Sequence, residues 1–444
     1  MSAVFQRACN VKMPIAVKGD GPYIVDSNGK RYLDGSGGAA VSSLGHSHPK
    51  VIEAIKGQLD AIAFAHTGFF SSQPAEELAQ LLIDKAPGDM SHVYFTSGGS
   101  EAVEAALKLA RQYFLEKGES QRSLFISREQ SYHGNTIGAL SVGGNPWRRQ
   151  PFEPLLSPGN YISPCYAYRG QQAGESEFDY GQRVAQELEQ KLQAVGAQNV
   201  IAFIAEPVVG ATLGCVPSVP GYFKKVREIC NQYGILLILD EVMCGMGRTG
   251  TLFAYEQEHI VPDMLTMAKG LGAGYQAIGA LMVNEEIHRT VANGSGFFQH
   301  GHTYVGHPTA CAAALAVQKV IDEEDLLTSV QQKGAYLQAQ LQDRFAQHQH
   351  IGDIRGRGLF RGVEIVADKT SKQALPITTQ FHTKLKAQLM ENGLLCYPGA
   401  GSVDGKLGHH VLIAPAFIAS TQDLDFLVDT LALSINQTLT NVGF

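Results

Sequence analysis

The 444-residue sequence predicts an α/β protein: a parallel sheet covered on both faces, followed by a smaller α+β domain. Two observations carry this expectation. From about residue 50, helical stretches alternate with short, continuous apolar runs, which is how strands buried on both faces read. After about residue 325 the texture changes to a long helix, a turn and strand, and then a further helix and strand. A composition of 44% hydrophobic and 17% charged residues supports a substantial core and more than one domain.

Taken in order, GPYIVDSNGKRYLDGSGG (21–38) reads as a small β-meander broken by Asp-Ser-Asn-Gly and Asp-Gly-Ser-Gly turns. PKVIEAIKGQLDAI (49–62) and PAEELAQLLIDKA (74–86) follow as helices. The runs HVYFTS (92–97), SLFISR (123–128), VIAFIAE (200–206) and ILLILDE (235–241) are strands. A helix over 326–348 opens the smaller domain. IGDIRGRGLFRGVEIV (351–366) reads as a turn plus a strand. A helix over 378–391, a strand at VLIAPA (411–416) and a last helix from near Thr421 complete the chain.

The bulk numbers exclude several classes. A net charge of −7 with scattered basic residues points to no nucleic-acid or membrane-surface partner. Seven widely spaced cysteines without a CxxC argue against a disulfide framework or zinc cage, and for a reducing, cytoplasmic setting. The N-terminal residues carry no apolar signal region, and no apolar run approaches the roughly 20 residues that span a bilayer.

Chemistry gathers at the carboxyl ends of the expected strands, where ligands bind in such sheets. ILLILDEVMCGMGRTG (235–250) places Asp240 at a buried strand end. PDMLTMAKGLGAGY (262–275) places Lys269 after an apolar segment and before glycines. An amine among apolar groups loses its proton readily and can condense with an aldehyde, while a buried carboxylate can hold a positive ring nitrogen. Taken alone, an Asp at a strand end is usually a turn former and a lysine is usually solvated surface. Upstream, however, HVYFTSGGSEAVEAALKLAR (92–111) is a strand, a glycine turn and a helix. Gly98 and Gly99 permit close backbone approach, and Ser100 offers a cap and a hydroxyl at an anion-binding helix N-terminus. Tyr132 and His133 in SYHGNTIGALS (131–141) offer a stacking surface. Glu206 follows a strand, and Thr303, in GHTYVGHPTACAAALA (301–316), offers a donor to phosphate. Together these describe a pyridoxal 5'-phosphate (PLP) site.

Two features compete. GMGRTG (245–250) fits a dinucleotide fingerprint but does not open a helix directly, so a nicotinamide or flavin enzyme is disfavoured. His300, His302 and His307 have no carboxylate or cysteine partner at ligand spacing, so no metal is expected.

The sequence resembles the class III aminotransferases, PLP enzymes of fold type I, over nearly the whole chain from DGSGGAAVSSLGHSHP (34–49) onward. The most specific part is D-E-V…G…G-R-T-G followed by P-D…K-G-L-G-x-G. The resemblance implies a large domain (61–325) on a mostly parallel seven-stranded sheet. It also implies a small α+β domain built from residues 1–60 and 326–444. Lys269 would be the Schiff-base lysine and proton shuttle, and Asp240 the partner of the pyridine nitrogen. Val242 would pack on the ring face opposite Tyr132, with His133 and Glu206 nearby. Gly99 and Ser100 would hold the phosphate, and Thr303 would reach it from the neighbouring subunit of a homodimer or dimer of dimers. The implied reaction is ping-pong transamination through pyridoxamine phosphate, from an ω-amino acid or primary amine to pyruvate or 2-oxoglutarate.

The alternative on the same fold is a decarboxylase, aminomutase or epimerase, since these also need Lys269 and Asp240. A PLP-binding regulator without turnover would need an appended segment that the sequence does not display. The chain departs from the family pattern at three points. Ser97-Gly98-Gly99-Ser100 stands where many members have Asn-Ser-Gly-Ser. Ala40 aligns with a tryptophan of amine–pyruvate members. Tyr397 stands where those members carry a mobile carboxylate-binding arginine. Arg148, Arg149, Arg355 and Arg361 are left as candidates for that role.

Overall fold

The computed structural model describes residues 3–444. Its centre is a seven-stranded sheet. The strands are β4 (Met90–Thr96), β5 (Leu124–Arg128), β6 (Tyr161–Ile162), β7 (Val200–Ala205), β10 (Leu236–Asp240), β11 (Met264–Met267) and β12 (Gly279–Asn284). They lie in the order β4-β12-β11-β10-β7-β5-β6. All run parallel except β12, which is antiparallel to both neighbours. Every residue of β7, β10, β11 and β12 is buried, because helices cover both faces. This is why those strands read as unbroken apolar runs rather than alternating ones.

The covering helices include α2 (Gln73–Lys85), α3 (Gly99–Glu116), α4 (Glu177–Val195), α5 (Tyr222–Tyr233), α6 (Glu285–Asn293) and α7 (Pro308–Glu323), while α1 (Pro49–Ala61) packs on α7. Helix α3 buries an apolar stripe that includes Val103, Ala106 and Ala110. Val103 and Ala106 meet Ile201, Ile238 and Leu281 in one core layer. On the other face, Leu188 and Leu192 of α4 and Val226 and Ile229 of α5 pack with Phe203, Leu237 and Leu265.

The rest of the chain forms a second body. The N-terminal meander β1 (Ala16–Asp20), β2 (Tyr23–Asp26) and β3 (Arg31–Asp34) is completed by β15 (Leu394–Leu395), which pairs parallel to β3. A second, antiparallel sheet is ordered β13 (Ile351–Arg357), β14 (Phe360–Ile365), β17 (His409–Ile413), β16 (Tyr397–Ala400). Helices α8 (Leu326–Phe345), α9 (Phe381–Glu391) and α10 (Thr421–Val442) pack on these sheets. A shared core joins Leu33, Leu44 and Val51 to Val330, Leu385, Ile413 and Leu427.

The structure refines the sequence reading at 351–366. The segment is a hairpin of two strands, not a turn plus one strand. Gly358, at φ +54°, makes the tight reversal, and a Cβ there would lie 2.6 Å from the Thr249 carbonyl carbon. Short β8 (Val208–Val209) and β9 (Val216–Pro217) form a separate ribbon beyond β7.

Candidate active site

The ends of β4, β5, β7, β10 and β11 open on one cavity of about 290 Å³. It is lined by Gly99, Ser100, Tyr132, His133, Glu206, Asp240, Val242 and Lys269, eight of the nine residues expected from sequence. Larger cavities, of about 770 and 650 Å³, lie elsewhere and contain none of these groups. Chemistry rather than size therefore identifies the candidate site.

Asp240 is the last residue of β10 and is buried. One carboxylate oxygen accepts from the Val242 backbone N–H at 3.0 Å, and the other faces His133 Nδ1 at 2.8 Å. Strand alternation sends the next residue the other way. Glu241 accepts the backbone N–H groups of Ala254 and Tyr255, each at 2.6 Å, and is a structural clasp. Only Asp240 of the acidic pair faces the cavity.

Lys269 follows β11 and begins a short 3-10 turn. Its backbone sits at φ +44°, a left-handed conformation that an L side chain adopts only at a cost. Burial lowers its ammonium to about 8, against the opposing pull of Asp240 and Glu206, and Arg148 lowers it further. Glu206, beyond β7, is moved the other way. Burial raises its carboxyl to about 7, with His133 opposing and Asp240 reinforcing the rise. Two titratable groups in one cavity are thus displaced toward neutrality from opposite sides.

At the start of α3, Gly99 lies against Val242, whose Cγ1 would be 2.8 Å from an added Cβ. Ser100 does not cap the helix. It lies inside the first turn, where its hydroxyl faces Asn135 Oδ1 at 3.0 Å and accepts the Asn135 N–H at 3.1 Å. No side chain caps the helix at its N-cap residue Gly98, and the Glu101 carboxylate reaches back past it to accept the Ser97 N–H at 2.8 Å.

Thr303, the ninth expected residue, is exposed on a loop and does not line the cavity of its own chain. Ala40 is buried among Val208, Cys215, Phe360 and Leu412 at φ +62°, and the neighbouring Ala39 is the residue that lines the cavity. Tyr397 does line it, at the start of β16. Arg7, Ala39, Val208, Ala211 and Met243 also line it, and the sequence reading missed all five. Val208, Ala211 and Met243 lie close behind Glu206 and Asp240, so strand-end proximity was the available signal. Nothing in the sequence marks Arg7.

The four arginine candidates separate cleanly. Arg149 donates to the Leu140, Ser141 and Gly143 carbonyls. Arg355 pairs with Glu364 and Asp353, and Arg361 donates to the Gly334, Gly356 and Gly358 carbonyls. Arg148 alone lines the cavity, its guanidinium 4.4 Å from the Tyr132 ring centroid. Among the described residues its guanidinium has no hydrogen bond or ion pair.

The GMGRTG segment is a series of turns, as its lack of a following helix suggested. Arg248 is buried there and donates to the Leu359 and Pro415 carbonyls, tying the large sheet to the second body.

A desolvated lysine, a carboxylate braced by histidine and a helix N-terminus, all at the carboxyl ends of a mostly parallel sheet, define the architecture of the fold type I PLP-dependent transferases. The chain belongs to the class III aminotransferases, whose family model, "Aminotransferase class-III", it matches over residues 5–435. It is 43% identical over 98% of its length to an uncharacterised aminotransferase of Schizosaccharomyces pombe, covering 95% of that protein. Among solved structures it resembles the ω-transaminase of Pseudomonas jessenii in complex with PMP. That match has a TM-score of 0.93 and 34% identity, covering 100% of this chain and 97% of that one. A thermostable (S)-enantioselective ω-transaminase from Thermomicrobium roseum is 36% identical, with a TM-score of 0.90 and coverage of 99% and 94%.

Proposed function

We propose that this protein is a PLP-dependent transaminase that moves an amino group from an ω-amino acid or primary amine to a keto acid, pyruvate or 2-oxoglutarate. The observation that carries the proposal is the buried Lys269 amine, lowered to about 8, in one cavity with the Asp240–His133 pair. The residues present fit the family's cofactor. His133 Nε2 and Glu206 Oε2 are buried without a partner among the described residues, and the Gly99 backbone leaves no room for a side chain.

When bound, PLP supplies an aldehyde for Lys269 and a ring that spreads the electrons left after proton loss next to nitrogen. Gly99, Ser100 and the α3 N-terminus would hold the phosphate. Tyr132 and Val242 would flank the ring. Asp240, oriented by His133, would keep a proton on the ring nitrogen, and Lys269, once free, would carry the proton between the substrate carbon next to nitrogen and the former aldehyde carbon of the cofactor. Arg148 would take the substrate carboxylate in place of the arginine missing at 397.

We further propose a cytoplasmic homodimer in which Thr303 of a second copy completes the phosphate site. The exposed aromatics Phe64, Phe69, Phe70 and Tyr304 near the Thr303 loop support such a face. No helix among the described residues is long and apolar enough to cross a membrane.

The test is product analysis. Holoenzyme with an ω-amino acid or amine and pyruvate or 2-oxoglutarate should yield alanine or glutamate, with parallel initial-rate lines as the co-substrate is varied. Carbon dioxide release, or no amino transfer with any donor, overturns the proposal.

A further inference from the structure

The fold brings together a group of side chains unrelated to the active-site cavity. His92 lies on β4, the edge strand of the large sheet. Glu285 and His288 lie one turn apart at the start of α6, so both project from the same side of the helix. The His92 and His288 rings stack face to face, with centroids 3.3 Å apart and planes within 12°. His92 Nδ1 is 4.0 Å from Glu285 Oε2, and one potential ligand atom from each of the three residues lies within 4.8 Å of the others. All three side chains are exposed.

We infer that His92, Glu285 and His288 form a surface site for a divalent zinc ion, with water as the fourth ligand. Two imidazole nitrogens and one carboxylate oxygen are a donor set suited to zinc, and the open position is filled by solvent. Tetrahedral zinc with bonds of about 2.0–2.1 Å needs donors roughly 3.3 Å apart. Near-parallel rings aim their in-plane lone pairs side by side, so binding requires the exposed His92 and His288 rings to rotate until both nitrogens face one point.

The backbone is already set for the site. The Glu285 N–H donates to the Asp89 carbonyl at 3.2 Å, and β4 pairs with β12, which runs directly into α6. An ion here bridges β4 and α6 and fastens the edge strand that continues into the Ser97–Ser100 turn. The sequence held no metal expectation because His92 and His288 are far apart in the chain and become neighbours only through the fold.

The test uses tag-free holoenzyme stripped of metal with chelator and titrated with zinc chloride by calorimetry. Wild type should bind one zinc ion per chain that the His92→Ala/His288→Ala variant does not, and zinc should raise Tm in wild type only. Glu285→Gln, a mild change on an exposed turn, should weaken that binding. Turnover should be unchanged in both variants. Equal zinc binding by wild type and the double variant, or no binding by wild type, overturns the inference.

Discussion

Lys269 combines two local costs, a left-handed backbone and a desolvated amine, and the surrounding fold must offset both. Its amine is charged below about pH 8 and neutral above, and only the neutral form attacks an aldehyde. Uptake of PLP by apoenzyme, followed by absorbance, should therefore accelerate as pH rises through about 8 and level off beyond it; a flat profile contradicts the assignment. Arg148 makes its prediction through charge. Loss of a charge-assisted hydrogen bond costs about 1.5–3 kcal/mol, so Arg148→Leu should raise KM for carboxylate-bearing donors roughly 10- to 150-fold. Donors without a carboxylate should be little affected. Sequence alone could not choose Arg148 among four arginines, because the choice depends on which guanidinium groups are consumed by carbonyls and carboxylates elsewhere in the fold.

The phosphate turn shows how one element shapes another. Gly279, on β12, lies beside the Ser97–Gly99 turn, and an added Cβ would be 2.5 Å from the Gly98 carbonyl oxygen. Overpacking of this kind costs about 1–3 kcal/mol and would displace the start of α3. Gly279→Ala should thus weaken PLP retention about tenfold or more in equilibrium dialysis, with the far-UV circular dichroism preserved. The turn itself was legible in sequence from its glycines and the amphipathic helix after it. The role of Gly279 was not, because the pairing of β12 with β4 is a long-range contact with no local signature. The same limit applies to the Ser100 hydroxyl. Its cap geometry was expected locally, but Asn135 took the hydroxyl from across the fold.

At the scale of the molecule, Glu364 joins the two bodies. Buried on β14, it accepts from Arg355 of the same sheet and from Tyr166 and Arg169, which follow β6 of the seven-stranded sheet. Burial would raise its carboxyl, but Arg355 and Arg169 outweigh burial and hold it down to about 2. A carboxyl depressed in the folded state contributes stability above its unfolded value, which is lost as pH falls from about 4.5 toward about 2. Glu364→Gln leaves part-buried Arg169 without its charge partner and buried Arg355 with Asp353 alone, and should cost about 3–5 kcal/mol in denaturant unfolding. It should also flatten the acid dependence in that window. Light scattering should give about twice the 47.8 kDa chain mass, and Thr303→Ala should weaken PLP retention without changing that mass.

The sequence by itself determined strands β4, β5, β7 and β10, their ends and the candidate Asp240–Lys269 pair, because buried strands and glycine turns are written in local composition, whereas β6, β11 and β12 came only with the structure. The family resemblance singled out Tyr397, and the structure sets it on the cavity wall. Tertiary structure decided the rest: that Ala39 rather than Ala40 lines the wall, and that Arg148, of the four candidate arginines, has no guanidinium partner among the described residues. These depend on side-chain direction and on competition for hydrogen-bond partners between distant segments. Residue type and spacing do not encode either.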